Sequence, residues 1–327
     1  MESSGKFRPY QRRNLGTVLS PYVDAAGKLA LKNVVVDGQG RTVLHLAAAY
    51  GATDLFERHI TNLKTGLRTK DKHGQIPLHS AAICGQTAIV ELIVKSGGPG
   101  LLSAQNDAGK TPLHLALKNA ALSAAQELVE LGSPLLIGDE DGKLPIFDAV
   151  RVAINTGNFS LLSSIWTTTE SQRTSCSGIS LFNLTTTSGL NLLDYAVWVI
   201  SEWELQGSDP DLEAEWDSDD SDAEWDPTMS RPDWETGEEP SQTCNRLEVV
   251  KFLVAKGFNP GWKSTEDSDT TLEFARWCLS RPVEEVTDEA MYALEQVIEF
   301  FEECVTGPLD KDDESNSFEK CMEGDSP

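Results

Sequence analysis

Apolar positions along this chain fall into paired helical stretches of unequal character. In the first stretch a glycine is followed four residues later by Leu or Ile, and three residues after that by Ala. Gly40, Leu44 and Ala47 form the first copy; Gly74, Leu78 and Ala81 the second; Gly109, Leu113 and Ala116 the third; Gly142, Ile146 and Ala149 the fourth. The Leu-x-x-Ala spacing puts these residues on one narrow helical face, and the alanines allow a neighbouring helix to approach closely. A bulkier apolar run follows, as in Ile89 to Val94, with Gly97 and Gly132 predicted to end such second helices as left-handed caps. Neither helix can bury its face alone, so a core exists only where units stack.

The four glycines lie 34, 35 and 33 residues apart, a period that marks a repeat array. Asp37, Asp71, Asp107 and Asp141 precede them by one to three positions and supply turn chemistry. Thr or its equivalent starts each first helix, and Pro fills the first turn, where its missing N–H costs nothing. Thr111 to Ala116 reads T-P-L-H-L-A, with close variants at Thr42 to Ala47 and Ile76 to Ala81. In these motifs the chain resembles the ankyrin-repeat family. The resemblance implies an all-α solenoid of helix-turn-helix units with β-hairpin-like tips, about six repeats in all, and an extended concave surface that binds proteins. A looser likeness, in architecture alone, is to fungal ankyrin-repeat transcription coregulators of secondary-metabolite gene clusters.

The pattern resumes after an interruption. Gly189 to Ala196 has the first-helix form and Leu247 to Pro260 the second-helix form, as if one repeat were split. The expected organisation is a flexible N-terminus (1–16), a cap or partial repeat (17–36) and repeats one to four (37–166). A Ser/Thr-rich loop (167–188) follows, with 12 Ser or Thr in 22 residues. A fifth repeat (189–260) is interrupted by an insert at about 203–243. A degenerate sixth repeat or C-terminal cap (261–306) and an acidic disordered tail (307–327) complete the chain.

Charge sharpens this picture. The chain carries 52 acidic and 27 basic residues, a net of −25. Residues 202–240 hold 16 acids and one base, and 307–327 contribute a further −5, which leaves a near-ordinary body. Such acidity disfavours direct binding to nucleic acid or to anionic membranes. The insert also contains Trp203, Trp216, Trp225 and Trp234, half of the chain's eight tryptophans. Its charge and its prolines oppose a packed core, yet exposed tryptophans have a hydrophobic cost. Acids interleaved with large aromatics have the composition of amphipathic activation segments, which makes Trp216, Trp225 and Trp234 candidate partner contacts. The alternative is a tolerated loop insertion.

Catalytic and metal readings find no local support. Gly109-Lys110-Thr111 lacks the upstream glycine of a phosphate loop, since Ala104 stands there. The Asp139 to Gly142 run lacks the distal Glu of a calcium loop. His45, His79 and His114 recur once per unit, about 10 Å apart at helix-packing distance, too far to share a metal. They are expected to hydrogen-bond the neighbouring turn. Six scattered cysteines form no C-x-x-C pair. The expectation is therefore a non-enzymatic, cofactor-free, monomeric scaffold located in nucleus or cytoplasm. It would bind proteins such as a transcription factor or a component of the transcription machinery. A row of positive charge at the hairpin tips (Arg41, Lys72, His73, Lys110 and Lys143) supplies the remaining partner-contact candidates. The alternatives are an adaptor or chaperone-like polyanion for a basic protein, and a specificity subunit of an enzyme complex.

Overall fold

The computed structural model describes residues 37–54, 56, 66–175, 184–201, 242–261, 263, 269–281 and 288–306. The expected N-terminal cap, most of the acidic insert with Trp203, Trp216, Trp225 and Trp234, and the acidic tail lie outside the described residues. Contacts divide the chain into two compact units. One comprises residues 6–153 and 158–192, the other residues 193–327 together with residues 1–5 and 154–157.

In the first unit the helices alternate short and long. The short inner helices are α1 (Val43–Ala49), α2 (Pro77–Ile83), α4 (Pro112–Lys118) and most of α6 (Pro145–Thr156); the outer helices are α3 (Thr87–Gly97), α5 (Leu122–Glu130) and α7 (Phe159–Ser175). Inner helices stack on one another, α1 on α2 and α2 on α4, and the outer helices do likewise, α3 on α5 and α5 on α7. The alanines of the periodic face explain the close inner stack: Ala47, Ala48, Ala81, Ala82 and Ala116 are all fully buried. The larger Ile89, Val90, Ile93 and Leu128 fill the space between inner and outer layers.

A recurring turn opens each inner helix. Gly40, Gly74, Gly109, Gly142 and Gly189 have φ of +76°, +72°, +70°, +71° and +82°, a region in which only glycine is free of Cβ strain. Each donates its N–H to the carbonyl three residues earlier, on Asp37, Asp71, Asn106, Asp139 and Thr186. At all five of these positions the side chain also holds the turn, Thr186 Oγ1 accepting the Leu190 N–H at 3.2 Å. The Oδ1 atoms of Asp37, Asp71 and Asp139 each accept two backbone N–H groups, and Asn106 Oδ1 accepts one from Lys110. The expected Asp107 and Asp141 are therefore not the turn formers; Asn106 and Asp139 are. The tips are hairpin-like, because each is stitched to the next by one bond: Lys72 N–H to Gln39 O, Asp107 to His73, Glu140 to Ala108 and Thr187 to Asp141.

Two further expectations are corrected. Gly97 is the last helical residue of α3, and the positive-φ cap is Gly98 at +86°. A Cβ on Gly97 would lie 2.3 Å from Leu101 Cδ1, so its role is close packing. Gly132, also at +86°, is a cap as expected. The Ser/Thr-rich stretch, in turn, is helical as far as Ser175. Its hydroxyls bond backward within the helix: Thr168 Oγ1 donates to Ser164 O at 2.8 Å and the buried Thr169 Oγ1 to Ile165 O at 2.6 Å. Gln172 fixes the far end, accepting from Leu135 N–H and donating to Ser133 O.

In the second unit, α8 (Leu192–Ser201) ends where the insert begins and α9 (Gln242–Ala255) starts where it ends; α10 (Thr271–Leu279) and α11 (Asp288–Thr306) follow. α11 packs against both α9 and α10. Its buried face is Ala290, Ala293, Leu294, Val297, Phe300 and Phe301, while Glu295, Glu299, Glu302 and Glu303 are exposed. In α10, Arg276 stands where the other inner helices carry Ala48, Ala82, Leu117, Val150 and Val197, all buried. It is exposed and ion-paired to Glu302 at 2.6 Å, so this surface is built to face water.

Candidate binding surface

The third residue of every inner helix is the chain's most informative position. It is His45, His79, His114, Phe147, Asp194 and Glu273 in α1, α2, α4, α6, α8 and α10. The three histidines are fully buried and bonded at both nitrogens. Nδ1 accepts from the backbone N–H of the N-cap residue, on Thr42, Ile76 and Thr111, at 3.1, 3.1 and 3.2 Å. The Thr42 and Thr111 hydroxyls lie 2.8 Å from the same nitrogen. Nε2–H donates to the carbonyl that precedes the next inner helix's N-cap, on Gln75, Lys110 and Lys143, at 2.9, 3.2 and 3.1 Å. Each ring thus caps its own helix and, as expected from sequence, bonds the neighbouring unit's turn. Both bonds require the neutral Nε2–H tautomer. Burial accordingly lowers the His45 pKa and pushes His79 down to about 4.

Other residues divide the same work. Glu273 caps α10, its carboxylate accepting the Thr270 N–H at 2.8 Å, and Thr270 Oγ1 accepts from Glu273 N–H. That is a Ser/Thr-x-x-Glu capping box, and it holds the Glu273 carboxyl below its usual range. Asp194 makes the bridge, accepting the Thr271 hydroxyl at 2.5 Å. These histidines and acids are therefore structural.

The tip residues are placed as follows. Arg41, Lys110 and Lys143 directly follow their glycines, whereas Lys72 and His73 form the apex of the second tip. Arg41 is half-buried and its Nε donates to Asp37. Lys143 Nζ lies 3.7 Å from Asp141, and His73 Nε2 pairs with Gln39 Oε1 at 3.2 Å. The apices carry Gln39, then Lys72 and His73, then Asp107, then Glu140 and Asp141. The expected positive row is not continuous: Asp37 and Asp141 sit against two of its members, and acidic apices follow. Asp139 Oδ1 is turned onto its own backbone, and Gly109-Lys110-Thr111 is a turn and helix start.

Charge separates along the sequence more sharply than the insert alone implies. Residues 193–327 hold 37 acidic and nine basic residues, a net of −28, and residues 1–192 hold 15 acidic and 18 basic, a net of +3. The break falls at the boundary between the two compact units. Sequence reading also missed the seventh residue of each inner helix, namely Ala49, Ile83, Lys118, Arg151, Trp198 and Trp277. Counting from each N-cap would have found it.

Residues 22–100 and 44–139 match the family of ankyrin repeats (three copies). The chain is 33% identical over 165 residues to alpha-latrotoxin-Lg1a of Latrodectus geometricus, covering 45% of this chain and 12% of that protein. It is 33% identical over 117 residues to the tyrosine-protein kinase Shark of Drosophila melanogaster, covering 36% and 12%. A match to the neurogenic locus notch homolog protein 1 of Xenopus laevis is 29% identical over 129 residues, covering 39% and 5%. The chain thus spans about an eighth or less of these relatives. Among solved structures it is similar to the Bd0816 predatory endopeptidase of Bdellovibrio bacteriovorus in complex with immunity protein Bd3460. That match has a TM-score of 0.49 and 19% identity, and covers 78% of this chain and 98% of that one.

Proposed function

Since residues 22–139 of this chain are ankyrin repeats, we propose that it is a non-catalytic scaffold for protein–protein interaction, and within that class a transcription coregulator. The observation that carries the scaffold reading is the use of the polar groups that recur once per unit. The buried histidines spend both nitrogens on capping and on bridging successive units. What remains for function is surface: tips, exposed helix faces and the charge attached to them. Lys72, His73 and Lys110 at the tips, with Arg41 and Lys143 beside them, are contact candidates for an acidic partner segment.

The coregulator reading rests on the composition of residues 202–240, where Trp216, Trp225 and Trp234 are spaced among 16 acids. Acids of this kind keep aromatics in water until a partner's groove buries them. The test tethers the full chain to a reporter promoter through a DNA-binding module. Changing Trp203, Trp216, Trp225 and Trp234 together to Ala should abolish activation or repression of the reporter. Equal output from both chains, or none from either, would refute it. A second reading is favoured by the net −28 of residues 193–327: an adaptor that holds a basic protein as a polyanion. It requires binding that survives loss of the tryptophans and collapses with salt.

A further inference from the structure

Each buried histidine of the first compact unit ends on the base of the next hairpin tip. The tips at 71–75, 106–110, 139–143 and 186–190 are closed by the same bond. In it the N–H groups of Asp71, Asn106, Asp139 and Thr186 donate to the carbonyls of Gln75, Lys110, Lys143 and Leu190. In the first three tips that carbonyl accepts a second bond, from Nε2–H of His45, His79 and His114. A carbonyl has two lone pairs, so ring and tip share it without competition. The fourth tip follows Phe147, and a phenyl ring can neither donate to the Leu190 carbonyl nor take up a proton. Nδ1 of each histidine meanwhile accepts the N–H of its own N-cap residue, at 3.1, 3.1 and 3.2 Å. A proton on Nδ1 sets two N–H donors against each other inside a fully buried site. The ring has to meet water to become charged.

We propose that His45, His79 and His114 are a pH-sensitive clamp on the three tips they hold, so that mild acid loosens those tips while the helix stack stays folded. The histidines are positioning residues for Lys72, His73, Lys110 and Lys143, which lie on those tips. A tip that lifts exposes the Nε2 side of its ring to water, where the ring takes a proton and cannot remake both buried bonds. Burial pushes His79 down to about 4 and lowers His45. The stability of the closed tip is therefore full above the ordinary 6.5 and falls as pH drops below it. At pH 5.0 opening of the tip at 106–110 is favoured roughly 25- to 30-fold more than at pH 7.5. Asp37, Arg41 and Asp71 face His45, Lys70 and His45 face His79, and Asp139 faces His114. Lys70 and His45 oppose charge on His79, so acid opens its tip rather than charging the closed one. The consequence for binding rests on the scaffold reading, in which these tips are contact candidates.

The test is amide hydrogen exchange of the full-length chain at pH 7.5 and pH 5.0, corrected for intrinsic exchange and resolved to each tip by mass spectrometry. It needs no partner, so its failure leaves the scaffold reading standing. The deciding comparison is 106–110 against 186–190, because neutral side chains, Asn106 and Thr186, hold both turns. The tips at 71–75 and 139–143 are held by the carboxylates of Asp71 and Asp139, which titrate as well. On acidification, protection at 106–110 should fall at least about tenfold and protection at 186–190 less than about twofold. The helices α2 and α4 should keep theirs. His79→Phe should lower protection at 106–110 at pH 7.5 and remove its pH dependence, so that this tip behaves like 186–190. Circular dichroism checks that variant's fold, and the two tips of the natural chain decide the question without it. Equal loss at both tips would reduce the effect to general acid destabilisation and overturn the proposal. Unchanged protection at 106–110 would overturn it too, as would a loss that α2 and α4 share in full, which is unfolding of the whole unit.

Discussion

The buried histidines make this fold sensitive to mild acid in a direction and amount set by the structure. His79 is fully buried and bonded as a neutral ring to Ile76 N–H and Lys110 O. Burial pushes its pKa down to about 4 from the ordinary 6.5. The folded state therefore resists the proton that the unfolded chain accepts. The associated stability is present above pH 6.5, is lost progressively as pH falls below it, and is gone near pH 4. Fully expressed, a gap of that size is worth roughly 3 kcal/mol, of which roughly 2 kcal/mol is lost between pH 7.5 and pH 5.0. His45, also lowered by burial, acts in the same sense. The perturbation that isolates His79 is His79→Phe, since Phe147 already fills the equivalent position in α6. The variant is less stable at pH 7.5, because two buried backbone groups lose partners. Its stability should nevertheless fall by roughly 2 kcal/mol less than that of the natural chain when pH drops to 5.0. Urea unfolding followed by circular dichroism at both pH values measures the difference, and carboxylate titrations common to the two proteins cancel. Parallel pH dependences would refute the linkage and the neutral-tautomer bridge with it.

Three other predictions test the architecture. Gly109→Ala should cost roughly 2–3 kcal/mol, combining strain at φ +70° with a Cβ placed 2.7 Å from Glu140 N, whereas Gly132→Ala, at φ +86° with nothing within 4 Å, should cost about 1 kcal/mol; thermal melts of the two variants should differ accordingly. Burial pushes the Cys84 thiol up to about 12, so maleimide at pH 8 should label Cys84 at the rate of unfolding, and mass spectrometry should find half-buried Cys304 labelled before buried Cys84 and Cys278. Thr270→Ala removes the hydroxyl that accepts Glu273 N–H and should destabilise the second unit by about 1 kcal/mol in urea titration.

The amino-acid sequence determined the units themselves. Glycine four residues before a Leu-x-x-Ala stripe fixes a positive-φ turn and a small-residue helix face, and both are local properties of the chain. The buried histidines could be foreseen for the same reason: one position per unit, too far apart for a metal, leaves only the neighbouring turn as a partner. Local pattern failed where the deciding partner lay elsewhere. The Ser/Thr-rich stretch looked like a loop because its residues favour turns, but its hydroxyls turn back onto the helix's own carbonyls, and the clasp of Gln172 on Ser133 and Leu135 holds it helical to Ser175. The tip cations Arg41 and Lys143 are a local case: their carboxylate neighbours, Asp37 and Asp141, lie in the same turns. Thr271 and Asp194 stand 77 residues apart, and only the juxtaposition of α8 and α10 brings that hydroxyl to 2.5 Å from that carboxylate. Turns and stripes are written in short-range sterics, whereas a binding surface is a statement about which distant residues share a face, and tertiary packing alone decides that.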